Sequence, residues 1–255
     1  MDHAERLALA RRVTDFVLQR HPDVVAVAIC GSTAHAEDRE WSDLEMFAVT
    51  RGKPGARGYG TIHGGIVVEV ELVSEEDAMR VVTSVRGDWP VSIDGWLHTI
   101  PTHDPEGLVA RLAASAAHPD PAGFDRHVRG ALVGMYEDLC KMRNHVASGE
   151  EAMARFMAPN FAFWGLASFI GHLNRQSFNG TRNLLTKPRD FPTLPPHFWE
   201  DYPAIVAADG SARDLLARAE RMYGGCRVLL QSAGIESPES GSLEDGLERG
   251  RSPRD

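Results

Sequence analysis

A run of small and β-branched apolar residues, Val24, Val25, Val27 and Ile29, stops at Cys30 and is followed at once by Gly31-Ser32. Ten residues later comes Asp43-Leu44-Glu45, which leads into Met46-Phe47-Ala48-Val49. The first run reads as a buried strand and the second as another. On the second strand, period two places Asp43 and Glu45 on one face and Leu44 and Met46 on the other. A strand that ends in Gly-Ser lets the backbone come close to a phosphate. Magnesium binds through one or two carboxylates together with substrate phosphates. The stretch therefore points to a site for magnesium and a nucleoside triphosphate.

The rest of the chain is built outward from these two strands. Leu7, Ala10, Val13, Phe16 and Val17 fall at helical spacing, so residues 3–20 read as a helix ended by His21-Pro22-Asp23. Residues 33–40 allow one or two helical turns. The Gly-rich stretch 51–65 reads as a flexible hairpin or loop. Ile66–Val73, IVVEVELV, is a third strand with Glu69 and Glu71 on one face. Ser74 followed by three acids starts a helix that runs to about residue 85. Gly87-Asp88-Trp89-Pro90 breaks it. A short strand is expected around residues 97–100 and a further helix over 105–117.

His118-Pro119-Asp120-Pro121 marks a domain boundary, giving an N-terminal domain over 1–120. Beyond it the pattern is helical. Phe124, Val128, Ala131, Met135, Leu139, Met142 and Val146 form a seam of alternating three and four steps. Residues 150–175 read as a second long helix with a break at Pro159. Five prolines make 179–204 mostly loop, and 211–233 reads as a last helix. The helical domain so defined covers 121–235. The tail 236–255 is polar and is expected to be disordered.

Composition narrows the function classes. The net charge of −9 argues against a nucleic-acid partner, because duplex binding depends on neutralising phosphates with Lys and Arg. Acidic excess suits a cationic small substrate. Three scattered cysteines give no disulfide framework and no zinc spacing. The charged N-terminus lacks an apolar signal segment, and no run reaches the roughly 18 apolar residues that span a bilayer. A cytoplasmic protein with no membrane partner is the expectation.

Each candidate site has a plainer alternative. Asp43 and Glu45 could be the solvated face of an edge strand, yet Asp is depleted in strands and like charges at i and i+2 repel unless a cation lies between them. With Glu69 on a neighbouring strand, three acids can converge on a metal. Glu137 and Lys141, four apart on the helix over 122–148, could be a surface ion pair worth about 0.3–0.5 kcal/mol. The same face carries Gly130 and Gly134, each costing about 1 kcal/mol in a helix interior. Those glycines suit close approach by a substrate or another subunit. Asp88 sits in a helix stop or at a pocket rim, and His35 in a loop where it is either solvated or touching a phosphate.

Taken together, the Gly-Ser turn, ten residues, and Asp-x-Glu, preceded by an apolar strand and followed by a carboxylate strand, resemble the nucleotidyltransferase superfamily that includes DNA polymerase β. GSTAHAEDREWSDLEMFAV (31–49), VEV (68–70), SVRGDWP (84–90), Ile100-Pro101 and YEDLCKMRN (136–144) resemble more closely the aminoglycoside 4'-nucleotidyltransferases, the kanamycin nucleotidyltransferase group. The likeness spans about residues 24–148 in ordered blocks.

The resemblance implies an α+β chain: an N-terminal nucleotidyltransferase domain with a mixed sheet flanked by helices, then an all-helical C-terminal domain. It implies a homodimer whose active sites are shared between subunits. Its reaction would be transfer of AMP from ATP to the 4'-hydroxyl of an aminoglycoside, with release of pyrophosphate and resistance to the antibiotic. Gly31 and Ser32 would hold the triphosphate. Asp43 and Glu45 would ligate Mg2+, with Glu69 completing the acidic cluster or meeting the aminoglycoside. Glu137 would be the general base, Lys141 would contact nucleotide phosphates, and Asp88 would help hold ammonium groups. The group has Arg where His35 stands, and Val133 replaces an acid one turn before the base. Transfer to a lincosamide or to a protein hydroxyl is the alternative within catalysis, and a non-enzymatic nucleotide sensor is the alternative outside it.

Overall fold

The computed structural model describes residues 1–239 and 242–244. These divide into two compact units. One comprises Met1–Val85 with Ser92–Asp120, and the other Arg86–Val91 with the chain from Pro121 onward. The short excursion 86–91 thus packs with the second unit, which a single cut near residue 120 does not convey.

The first unit is an α+β layer structure. Helix α1 (His3–Arg20) opens with a capping box, in which Asp2 accepts from the Glu5 amide at 2.8 Å and Glu5 accepts from the Asp2 amide at 2.8 Å. Strand β1 (Val24–Ile29) is buried along its whole length. It is followed by one helical turn, α2 (Gly31–Ala34), and then by β2 (Leu44–Thr50), β3 (Gly58–His63) and β4 (Ile66–Ser74). Helix α3 (Glu75–Thr83) starts at Ser74, whose hydroxyl accepts from the Asp77 amide at 3.1 Å. Short helices α4 (Trp89–Ser92) and α5 (Asp94–Leu97), strand β5 (Ile100–His103) and helix α6 (Leu108–Ala116) complete the segment up to residue 120.

The sheet order is β3-β4-β2-β1-β5. Strands β2 and β4 run parallel, and every other neighbouring pair is antiparallel. On β4 the burial alternates strictly from Ile66 to Leu72, so Val68, Val70 and Leu72 face the core while Glu69 and Glu71 face out. The core face joins Val27, Ile29, Leu44, Met46 and Ala48 to Leu9, Ala10 and Val17 of α1. The opposite face is the one that carries the carboxylates.

Of the hairpin and loop expected for the Gly-rich stretch 51–65, the structure has the hairpin, with the edge strand β3 as its first arm. His63 and Ile66 pair across Gly64 and Gly65, whose φ values of +59° and +82° suit a two-residue hairpin turn. Scattered glycines hide the strand's periodicity, but main-chain pairing to β4 does not need it. The short strand lies at 100–103, not 97–100, because α5 occupies residues up to Leu97.

The second unit is helical. Helix α7 (Ala122–Ala147) packs against α8 (Glu151–Asn160), α9 (Ala167–Asn174) and α11 (Ala212–Ser232), with α10 (Phe198–Val206) packed on α11 and α8. Its buried positions Phe124, Val128, Leu132, Met135, Leu139 and Met142 keep the expected seam, with Leu132 taking the place of the half-buried Ala131. Pro159 inside α8 supplies no N–H, and the chain passes into a wide turn of π type over Phe161–Leu166 before α9 resumes. No helix of the described residues is long and apolar enough to cross a membrane. Most of the stretch expected to be a disordered tail, namely 240–241 and 245–255, lies outside the described residues. At its start Glu239 accepts from Tyr223 Oη at 3.3 Å and Arg227 Nη2 at 2.6 Å.

Candidate active site

The end of β1 and the start of β2 are tied together, since the Cys30 amide donates to the Glu45 carbonyl at 2.9 Å. Gly31 then turns with φ +64°. A β-carbon at Gly31 would lie 2.0 Å from Glu45 Oε2, so the carboxylate rests directly on the glycine backbone, and a side chain there would have to move it as well as accept a left-handed φ. The hydroxyls of Ser32 and Thr33 are shielded from solvent and have no hydrogen-bond partner among the described residues. A buried hydroxyl left in this state costs about 1–3 kcal/mol, which a bound polar group would recover.

Glu45 and Glu69 stand opposite each other in the parallel β2–β4 register. Burial raises the Glu45 carboxyl above its ordinary range, and the charges of Asp43 and Glu69 raise it further. Burial also pushes the Cys30 thiol up to about 12, helped by Glu45, Glu71, Asp43 and Asp94. Four carboxylates therefore act on one point beside the Gly-Ser turn. They are crowded electrostatically without being drawn into contact. Among the described residues, the three His, Cys, Asp or Glu side chains whose ligand atoms fall within 4.8 Å of one another are His35, Asp94 and His98, not Asp43, Glu45 and Glu69. The all-oxygen donor set, the orphaned Ser32 hydroxyl and the close seat at Gly31 fit a hard cation carrying phosphate oxygens.

The loop that delivers Asp43 is held from α1. Arg6 is fully buried and pairs through Nη1 with Asp38 Oδ2. Its Nη2 donates to the carbonyls of Arg39 at 2.7 Å, Glu40 at 3.2 Å and Ser42 at 3.0 Å. His3 Nδ1 lies 2.6 Å from the other Asp38 oxygen. Burial works to raise the Asp38 carboxyl, but the bonds from His3 and Arg6 outweigh it and hold the group below its usual range. Sequence reasoning passed over Arg6. An arginine set in an apolar helix face, between Leu7 and His3 and one turn before Leu9 and Ala10, was the available signal.

His35 does not sit free in its loop. Its Nε2 lies 2.9 Å from Asp94 Oδ2, and His98 Nδ1 lies 2.6 Å from Asp94 Oδ1. Asp94 is buried, and the two imidazole centroids are 4.5 Å apart. Neither Asp94 nor His98 was singled out in the sequence, because one acid and one histidine in an irregular stretch carry no spacing signal.

Asp88, Glu137 and Lys141 belong to the second unit. Asp88 Oδ1 lies 3.4 Å from Arg86 Nε. Glu137 and Lys141 pair at 2.7 Å on the outer side of α7, both well exposed. The hydrogen bond from Lys141 and its charge lower the Glu137 carboxyl, which is the opposite of what a general base near neutral pH requires. Next to it, Asp138 faces inward among Met135, Leu139 and Met142. Burial raises its carboxyl, against the opposing pull of Lys141 at 3.8 Å and the bond from Asn160 Nδ2 at 3.0 Å. Its core-side position at helical spacing was visible in the sequence. A β-carbon at Gly130 or Gly134 would meet nothing within 4 Å.

The comparisons with known proteins bear on this arrangement. Two curated relatives, both named aminoglycoside nucleotidyltransferase (4'), come from Staphylococcus aureus and a Bacillus species. Each is 24% identical over 198 residues, covering 76% of this chain and 78% of the relative. A solved structure of a nucleotidyltransferase-like protein from Exiguobacterium sibiricum 255-15 aligns with a TM-score of 0.43 at 14% identity, over 89% of this chain and 75% of that one. The family described as KNTase C-terminal domain matches residues 106–236, just over half of the 255-residue chain. By that match, the chain belongs to the KNTase C-terminal domain family.

Proposed function

We propose that this protein is an aminoglycoside O-nucleotidyltransferase, moving AMP from ATP to a 4'-hydroxyl of the antibiotic with release of pyrophosphate. The observation that carries the reading is the seat at Gly31. There the Glu45 carboxylate packs against bare backbone, beside an unpartnered Ser32 hydroxyl and within the field of Asp43 and Glu69. The names of the two curated relatives support the choice of acceptor.

In this reading Gly31 and Ser32 receive the triphosphate, with His35 at its edge. Asp43 and Glu45 would hold Mg2+, which when bound neutralises charge on phosphate oxygens and the leaving pyrophosphate. Glu69 and Asp88 attract the ammonium groups of the aminoglycoside, and the acidic face draws a polycation through an electrostatic field. Glu137 takes the proton of the sugar hydroxyl. The hydroxyl oxygen bonds to the α-phosphorus as the α–β phosphoanhydride bond breaks. Lys141 turning to the phosphates removes the contact that lowers Glu137 and so makes the carboxylate a better base. The active sites are shared between the subunits of a homodimer.

The test is direct. The protein is incubated with ATP, Mg2+ and, separately, kanamycin, tobramycin and a lincosamide, and the products are weighed by mass spectrometry. One added AMP on an aminoglycoside is the expected outcome. AMP on the lincosamide alone overturns the choice of acceptor, and AMP on neither overturns the reading.

A further inference from the structure

We propose that His35, Asp94 and His98 form a binding site for a divalent transition metal such as Zn2+, distinct from the carboxylates Asp43 and Glu45. One ligand atom from each of the three residues lies within 4.8 Å of the others. They come from two short segments. His35 directly follows α2, Asp94 is the first residue of α5, and His98 directly follows its last. The one-turn helix α5 therefore places Asp94 and His98 four residues apart on one side, and the loop after the Gly-Ser turn brings His35 to them.

The donor set decides the class of ion. Two imidazole nitrogens and one carboxylate suit Zn2+ and its neighbours, whereas magnesium prefers an all-oxygen octahedron. Three protein ligands leave the fourth tetrahedral position to water. Metal–ligand bonds of about 2.0–2.1 Å around a tetrahedral ion space the ligand atoms about 3.3 Å apart. The nitrogen–oxygen separations, 2.9 Å to one oxygen of Asp94 and 2.6 Å to the other, and the 4.8 Å bound on the three ligand atoms lie on either side of that spacing. An ion entering between the groups takes the place of both hydrogen bonds.

Electrostatics favours the same conclusion. Asp94 is 4% exposed, and its ion-pair partners among the described residues are the two histidines. Hydrogen bonds from the two imidazoles orient the buried carboxylate, and a divalent ion would orient it and offset its charge together. The His98 side chain is half exposed and gives the ion a way in. Bound there, the metal would fasten the segment after Gly31-Ser32 to α5. The competing account is that Asp94 merely aligns the two rings by hydrogen bonds.

Metal binding to the full chain separates these accounts without an activity assay. The chelator-treated protein is titrated with Zn2+ by calorimetry, and with Co2+ by visible absorption, in buffer holding millimolar Mg2+. One equivalent of each metal and a Co2+ ligand-field band are expected. His98→Ala should weaken binding at least tenfold, as should Asp94→Asn, whereas Asp43→Asn should leave it unchanged. The half-exposed His98 makes its alanine variant the safer one to fold, and circular dichroism checks both. Absence of stoichiometric binding overturns the site, as does wild-type affinity in His98→Ala. Loss of binding in Asp43→Asn assigns the metal to the oxygen ligands and also overturns it.

Discussion

The carboxylate of Glu45 occupies the space that a β-carbon on Gly31 would need, with Oε2 only 2.0 Å from that position. Gly31 opens the turn that follows β1 and Glu45 lies on the neighbouring β2, and the Cys30–Glu45 main-chain bond ties the two segments together. Turn and acid form one unit, and their dependence can be measured.

Gly31→Ala should therefore be costly twice over. The new methyl overlaps the carboxylate, and alanine is strained at φ +64°. A loss of about 1–3 kcal/mol in urea unfolding is expected, with a fall in nucleotidyl transfer. Adding Glu45→Ala removes the overlap and leaves the backbone strain. The double variant should thus regain part of the stability and none of the activity. Simple additivity of the two losses would show that the side chain yields freely.

Glu45→Gln separates function from stability. The folded-state carboxyl of Glu45 lies above its unfolded value, chiefly through burial. Between those two values the folded protein holds more protons than the unfolded chain, so stability declines as pH rises through that window. The penalty is complete above the folded value and absent below the unfolded one. Glutamine cannot ionise. The variant should accordingly melt higher than wild type at pH 7, with the advantage gone in acid, while transfer falls at least a hundredfold. Thermal melts at a series of pH values give the first result and product mass the second. A variant that melts lower at pH 7 than at acid pH relative to wild type would contradict the sign.

How much of this was readable beforehand depends on whether a signal was local. The strands at 24–29, 44–50 and 66–74 announce themselves by β-branched runs and alternation, and the helix over 122–147 by its seam. Glu45 and the outward position of Glu69 were legible because period two fixes the face along each strand, whereas Asp43 lies one residue before β2 begins. Arg6 was not legible, since its partners lie 32 to 36 residues away and are mostly carbonyl oxygens that any sequence could supply. Asp94 and His98 were hidden for the same reason. The hairpin at 51–65 was legible as one of two readings from its glycines, but the bounds of β3 were not, because glycine has no periodicity to show.

Arg6→Met tests the support behind Asp43. Both members of the Arg6–Asp38 pair are shielded from solvent, so removing the guanidinium strands a buried carboxylate and three carbonyl groups. Breaking such a pair costs about 3–5 kcal/mol. Unfolding in urea should show a loss of that order. In protein still folded at low temperature, transfer should also fall, because residues 39–42 lead straight into Asp43. Restoring neutrality with Arg6→Met/Asp38→Leu should recover more stability than activity. A double variant as active as wild type would place the loop's order elsewhere.

Glu137→Gln bears on the proton transfer. In the isolated chain Glu137 is a surface carboxylate lowered by Lys141, and nothing in the fold depends on it, so the melting temperature should not move. General base catalysis contributes about 100- to 10,000-fold, and kcat should fall by an amount in that range while the KM for ATP changes little. Lys141→Met should act differently, raising the KM for ATP and shifting the acid limb of the kcat/KM profile, which reports the free enzyme, upward. The upward direction follows because the partner that lowers Glu137 has gone, so its carboxyl holds a proton to higher pH. If Glu137→Gln turns over like wild type, the base lies elsewhere. Asp138, whose carboxyl burial already raises, would then be the residue to substitute next.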